Sequence, residues 1–256
     1  MIKSEIVNNV GQIFLNRPDK YHSFVREMAL ELQDILSRYS KNENVRAILI
    51  TAKGKAFCAG QDLNEAIDPN QPDITQIIDE HYNPIIKLIR NIEKPIIAAV
   101  NGVAAGAGAS LALACDIVLA SEYATFIQAF CKIGLIPDSG ATFILPRLIG
   151  MQRASSLMLT GDPIDANEAK NIGLVYKVFE HNTLEQESIK FSERLAKMPT
   201  KGLGLTKKAL NHSINNTFNE QLEIEKNFQT LAAKSNDYNE GVQAFLEKRK
   251  PYFKGN

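Results

Sequence analysis

An α/β fold, with a largely parallel sheet covered by helices and followed by an all-helical tail, is what this 256-residue sequence predicts. Three observations carry that reading. Residues 45–51 (VRAILIT) and 96–100 (IIAAV) are nearly all apolar, as strands buried on both faces are. Helical periodicity precedes or follows each of them, with apolar residues recurring every three or four positions. After residue 182 the glycines thin out, and four helical patterns succeed one another at 184–197, 202–215, 219–233 and 236–249. The chain therefore divides into an α/β core, 1–182, and a helical region, 183–256. That tail is too thin to bury its own apolar faces, so it is expected to pack on the core or on another copy of the chain.

Within the core, residues 10–16 read as a strand ended by Arg17-Pro18-Asp19. Ser23 can cap a helix over 24–39 that buries Met28, Leu32, Ile35 and Leu36. The stretch 56–63 (AFCAGQDL) reads as a strand-to-helix turn, and 68–73, with two prolines, as a mobile surface loop. Helical periodicity returns over 74–92 through Ile77, Ile78, Ile85, Ile86 and Ile89. Further helices are expected at 151–160 and, capped by Asp165, at 165–171, with a last strand at 174–179.

Composition excludes several classes. Lys plus Arg and Asp plus Glu both number 29, and no basic block interrupts the balance, so nucleic acid is not an expected partner. No apolar run approaches the ~18 residues of a membrane span. The N-terminus lacks the apolar core and cleavage site of a signal peptide, and three unpaired cysteines (Cys58, Cys115, Cys131) suit reduced, buried thiols; a cytoplasmic protein is expected. No Walker A, Gly-x-Ser-x-Gly or His-Glu-x-x-His pattern occurs, the four histidines are scattered in polar contexts, and Gly106-Ala107-Gly108-Ala109-Ser110 lacks the third glycine of a dinucleotide fingerprint. Neither a metal nor a separate cofactor is expected.

The stretch that remains is 94–150. A strand runs through Asn101-Gly102 into a Gly/Ala-rich helix start, and later comes a lone carboxylate, Asp138, behind Pro137. A helix N-terminus almost free of side chains can meet a developing negative charge with its N–H groups. The same residues have plainer uses. Small residues let a helix pack closely, Asp138 could cap a helix beginning near 139, and Asp62 could be a first-turn acid.

In order and spacing, Phe57-Cys58-Ala59-Gly60-Gln61-Asp62-Leu63, residues 94–108, Cys115-Asp116, Gly134-Leu135-Ile136-Pro137 and Pro146-Arg147 resemble the motifs of the crotonase, or enoyl-CoA hydratase/isomerase, superfamily. The likeness runs from Asn16-Arg17-Pro18 to Lys248-Arg249-Lys250-Pro251. Residues 101–109, 134–138, 202–205 and 237–242 are most similar to the members that isomerise ring-epoxidised phenylacetyl-CoA. The resemblance implies a ββα spiral core with a C-terminal helical region used in oligomerisation, as a trimer or a dimer of trimers. It implies an acyl-CoA thioester as substrate, CoA being part of that substrate rather than a cofactor.

By the same resemblance, the backbone N–H groups of Gln61 and Ala107 hold the thioester oxygen, and Asp138 is the acid/base. Ala59, Gly60, Asp62, Gly106, Ser110 and Phe130 border the substrate. Lys250 and Lys254 are candidates for the CoA phosphates, from a neighbouring subunit. Hydratases of the family carry two glutamates where this chain has Ser110 and Phe130, which disfavours hydration and favours isomerisation by one carboxylate inside a wall of Phe126, Phe130 and Phe143. Two positions depart from the family pattern: Ala141 replaces a common second glycine, and Tyr21-His22-Ser23 replaces the usual Asn-Ala. A hydratase or an aliphatic (di)enoyl-CoA isomerase, and a non-catalytic acyl-CoA-binding subunit, are the alternatives.

Overall fold

The apolar runs become the centre of a six-stranded sheet. A computed structural model describes residues 1–256. β1 (Ile2–Val7) and β2 (Val10–Leu15) form an antiparallel hairpin whose turn residues, Asn8 and Asn9, take the left-handed conformation that asparagine tolerates. α1 (Arg26–Lys41) follows, then β3 (Ala47–Ala52) and the short β4 (Ala56–Cys58). Ser23 does not cap α1. Val25 holds the cap position without a side-chain bond, and the Ser23 hydroxyl instead accepts from Arg17.

Next come α2 (Leu63–Ala66), α3 (Ile74–Gln76), a π-turn (Ile77–Tyr82) and α4 (Asn83–Asn91). The loop before α3 is held by an Asx turn from Asp68 to Asn70 and by a capping box between Asp73 and Gln76. β5 (Ile96–Val100), β6 (Val103–Ala105) and α5 (Ala107–Ala114) form the next unit, and β7 (Ile117–Ser121) with β8 (Thr125–Ile127) begins another. α6 (Ala141–Ile149), α7 (Met151–Thr160), β9 (Ile164–Asp165), α8 (Ala166–Asn171) and β10 (Lys177–Phe179) complete the core. The tail is α9 (Leu184–Ala196), α10 (Thr200–Ser213), α11 (Phe218–Ala232) and α12 (Asn236–Leu246).

The large sheet has the order β1-β2-β3-β5-β7-β10 and is parallel except at β1. A smaller one runs β4-β6-β8-β9 and is parallel except at β9. Three times, a strand of the large sheet is followed by one of the small sheet and then by helix: this is a ββα spiral. One face of the large sheet (Ile13, Ile48, Ile50, Ala98) meets α1 and α4. The other face (Val10, Leu49, Ile97, Leu119) is covered by Leu184 and Ala196 of α9, which explains why the strands are apolar throughout. α9 thus belongs to the packing of the core. No helix is long and apolar enough to cross a membrane.

Asp116 ties the tail to the spiral. Its carboxylate accepts from the Ile96 N–H at 2.8 Å and pairs with Lys207 Nζ of α10 at 2.8 Å, with Arg90 at 3.6 Å. Lys207 also donates to Ile89 O at 2.6 Å. Lys207 is buried and Asp116 largely so, and desolvation raises the Asp116 pKa and lowers that of Lys207 despite their mutual attraction. Removing Lys207 leaves Asp116 only the longer Arg90 contact, so Lys207→Met should cost up to about 3–5 kcal/mol in urea denaturation at neutral pH. Adding Asp116→Asn to that variant should return a large part of the loss.

Candidate active site

Two segments far apart in sequence meet backbone to backbone. After β4 the chain turns at Gly60, where φ is +92°, and Phe24 flanks the next residue. The Phe24 N–H donates to Gly60 O at 2.7 Å and the Asp62 N–H to Phe24 O at 2.8 Å. The Gln61 N–H between them makes no hydrogen bond. A Cβ at Gly60 would lie 3.0 Å from Ala105 O and 3.3 Å from Ala107 N, so only glycine allows this approach.

Ala107 is the first residue of α5, so its N–H has no intrahelical acceptor, and it points from the positive end of the helix dipole. Gly108 serves the close-packing alternative as well, since a Cβ there would sit 2.3 Å from Cys58 O. The Gly/Ala run therefore brings α5 onto β4 and leaves the Ala107 N–H without an acceptor. Cys58, between the two segments, is buried and its thiol is pushed up to about 12 by desolvation; it is an inert packing group rather than a nucleophile.

Asp138 is not a cap. α6 begins at Ala141 with Gly140 at its cap position and no side-chain cap bond. The carboxylate accepts only from Ser139 Oγ, at 2.8 Å, among side-chain donors. Ser139 and Gly140 are both left-handed, φ +54° and +76°, which turns the chain sharply behind the acid. Ala141, at the position of a common family glycine, is buried in the first turn of α6 without such a conformation. Burial raises the Asp138 pKa above the ordinary carboxylate range, only partly offset by the Ser139 bond.

The remaining predicted residues sort by what they touch. Ser110 is buried and its hydroxyl donates back to Gly106 O at 3.2 Å, one turn earlier in the same segment. Phe130 and Phe126 are buried, and the Phe130 ring lies 3.9 Å from where a Gly106 side chain would begin. Phe143 departs from the expected wall. It is 42% exposed, with the Arg147 guanidinium stacked 3.7 Å from its ring centre.

Ala59 is exposed at the rim, its N–H donated to Tyr21 O. Asp62 is committed to structure rather than to substrate: one oxygen caps α2 through the Asn64 N–H, and the other pairs with Arg17 at 2.7 Å. Lys250 and Lys254 are not brought to the site within one chain. The tail beside them is fastened to Arg46, which donates to Phe253 O at 2.8 Å at the start of β3. The Gln61 loop lies beyond the other end of that strand, about 20 Å away.

His22 and His81, expected in polar surroundings, are buried. His22 Nδ1 accepts from the Arg17 N–H and its Nε2 donates to Lys53 O, so it is neutral and structural. One contact was not foreseen from sequence: the buried Tyr82 hydroxyl donates to Gln61 Oε1 at 3.0 Å and lies within electrostatic reach of Asp138. An open groove of about 870 Å³ between α10 and α11 holds none of these groups.

The Gln61 and Ala107 N–H groups thus lack a hydrogen-bond acceptor in the chain, and the Asp138 carboxylate is desolvated. Residues 5–256 match the enoyl-CoA hydratase/isomerase family. The chain belongs to that family. It is 44% identical to the 1,2-epoxyphenylacetyl-CoA isomerase of Escherichia coli K12, over 99% of this chain and 98% of that one. It is 40% identical to a protein of Rhodobacter capsulatus named as a probable enoyl-CoA hydratase, again over 99% and 98%. The crystal structure of an enoyl-CoA hydratase from Bacillus anthracis superposes with a TM-score of 0.92 at 35% identity, covering 100% of this chain and 99% of that one. As an enoyl-CoA hydratase/isomerase family enzyme, the chain uses the ββα spiral and helical tail that its strand order shows.

A carboxylate whose folded pKa is raised destabilises the fold once ionised. Stability contributed by protonated Asp138 is present at low pH and is lost as pH rises from the unfolded to the raised folded value. Asp138→Asn should therefore be at least as stable as the parent at pH 7 in urea denaturation, with any gain vanishing at acid pH. A helix cap would show the opposite sign.

Proposed function

We propose that this enzyme is a CoA-thioester isomerase, with 2-(1,2-epoxy-1,2-dihydrophenyl)acetyl-CoA as the substrate the site supports best. The observation that carries the reading is the desolvated Asp138 carboxylate with no cationic partner, the nearby Glu65 being taken by the Gln61 amide and the Arg26 N–H. Ser110 and Phe130 stand at the two positions where the resemblance puts a hydratase's glutamates. The Ser110 hydroxyl is spent on Gly106 O, and the buried Phe130 ring leaves dry surface. Asp138, free of capping duty and desolvated, is the acid/base that remains. The likeness to the E. coli isomerase supports the choice of acyl group.

In this reading the thioester oxygen lies between the N–H groups of Gln61 and Ala107. Asp138 removes a proton from the carbon next to the thioester, and the electron pair moves onto the oxygen that the two donors hold. The same carboxyl group returns the proton to a more distant carbon of the conjugated system. No water is added, so substrate and product are isomers. For the epoxide, the strained ring opens to the seven-membered oxepin, and the same carboxylate relocates the proton. Each donor is worth about 3 kcal/mol of transition-state stabilisation. Desolvation keeps the Asp138 pKa nearer the working pH, where a group can both take and give a proton.

The CoA adenine would lie at exposed Ala59, and Lys250 and Lys254 would reach the phosphates of a neighbouring copy. The tail supports that arrangement. Leu210, Phe218, Phe245 and Leu246 are all more than 60% exposed on it, an apolar surface suited to covering by other copies in a trimer or a dimer of trimers.

The deciding assay follows the epoxide substrate by absorbance and mass spectrometry beside crotonyl-CoA hydration. Isomerisation at unchanged mass is expected, with hydration at least 100-fold slower, since general acid–base assistance is worth about that much. Asp138→Asn should abolish turnover and leave thioester binding nearly intact. Fast hydration would favour a hydratase. Binding without turnover of any enoyl or epoxy thioester would favour a non-catalytic acyl-CoA-binding subunit.

A further inference from the structure

The side chain of Gln61 is pinned at both ends of its amide. Oε1 accepts from Tyr82 at 3.0 Å, and Nε2 donates to Glu65 Oε2 at 2.8 Å. Glu65 is itself held, its other oxygen accepting the Arg26 N–H at 2.8 Å at the start of α1. Residues either side of Gln61 pair with the Phe24 backbone, and the Phe24 ring lies 6.0 Å from that of Tyr82. The Gln61 side-chain amide is thus engaged at both ends, while its backbone N–H makes no hydrogen bond.

Tyr82 owes its place to a break in the helix that carries it. Pro84 has no N–H to offer the Glu80 carbonyl, so the chain widens into a π-turn in which the Asn83 N–H bonds Ile78 O, five residues back. The two carbonyls left over at Glu80 and His81 are taken by Gln33 Nε2 of α1, at 2.7 and 3.2 Å. The widened turn buries His81 and Tyr82 side by side, leaving His81 Nδ1 without a partner and setting the Tyr82 hydroxyl against Gln61. Burial, with Cys58, Asp138 and Glu65 nearby, keeps the Tyr82 pKa well above that of a free tyrosine, so it remains a donor at neutral pH.

We infer that Tyr82 is a positioning residue for the thioester: through the Gln61 amide its hydroxyl holds the Gln61 N–H aimed at the oxygen that Ala107 also meets. The inference rests on the two-donor reading of the site. It assigns to the π-turn and Pro84, remote from the acyl group in sequence, a part in polarising the substrate carbonyl.

The test reads that polarisation directly. Phenylacetyl-CoA carrying ¹³C at the thioester carbonyl is bound to the enzyme, and its C=O stretch is compared with that in buffer by infrared difference spectroscopy. Wild-type enzyme should lower the frequency. Tyr82→Phe should lose part of that shift and, with the epoxide substrate, lower kcat roughly 3- to 10-fold at a KM changed less than about twofold. Gln61→Leu keeps the backbone donor but removes the tether, and should match Tyr82→Phe; the double variant should be no worse than either single one. Asp138→Asn should keep the full shift.

A wild-type shift that Tyr82→Phe retains in full, or effects of the two variants that simply add, would overturn the role of Tyr82. Absence of any shift in the wild-type enzyme would overturn the two-donor reading and the inference with it. If Tyr82→Phe fails to fold, as judged by near-UV circular dichroism, Gln61→Leu carries the test: its retention of the full shift is then the contradicting result.

Discussion

The proposed chemistry requires two backbone N–H groups, those of Gln61 and Ala107, to stay without a protein acceptor in a largely apolar interior. Folded chains avoid that arrangement, because an unsatisfied buried donor costs about 1–3 kcal/mol. Much of the local structure can be understood as what holds it open. Gly60 turns left-handed so that Gln61 approaches α5, and Phe24 engages the peptides on either side. Gly108 lets α5 settle on Cys58 O, which brings Ala107 to the same place.

The ββα spiral is suited to this task. Each strand of the large sheet hands the chain to the small sheet before a helix begins, so β4 and β6 lie adjacent while their following segments converge. Asp138 enters from the next turn of the spiral, on a backbone forced left-handed at Ser139 and Gly140. A desolvated acid and unpaired donors both weaken the fold. The long apolar strands, α9 on the far face of the sheet and the buried Asp116–Lys207 pair stand against that cost. The Asp116–Lys207 pair and the proposed site thus lie at different ends of the same strands.

Much of this was legible in sequence where the signal is local. The apolar strands at the sheet centre, α7, and α8 with its Asp165 cap follow directly from periodicity and capping chemistry. The family motifs brought Gln61, Ala107 and Asp138 to notice, but whether Asp138 caps α6 depended on where that helix begins, and that is set by the Ser139-Gly140 turn. Strands of three residues, such as β4, β6 and β8, are too short for alternation to be read. Residues 74–92 read as one helix because isoleucines recur on one face throughout; only Asn83-Pro84 marks the π-turn. Ser23 reads as a cap and Asp62 as either a helix-start acid or a substrate neighbour; Asp62 does start α2, but both side chains are also held by Arg17, a partner that only the folded chain brings near. The Tyr82–Gln61 bond, between residues twenty-one apart on separate elements, leaves no trace in composition or period.

The central claim is that Gln61 and Ala107 jointly hold the thioester oxygen opposite Asp138. A crystal structure with an unreactive acyl-CoA, such as phenylacetyl-CoA, tests it most directly. The account predicts that oxygen within roughly 2.7–3.1 Å of both backbone nitrogens, with the Asp138 carboxylate over the adjoining carbons. A thioester bound with its oxygen on solvent or on any other donor, away from either nitrogen, would contradict it.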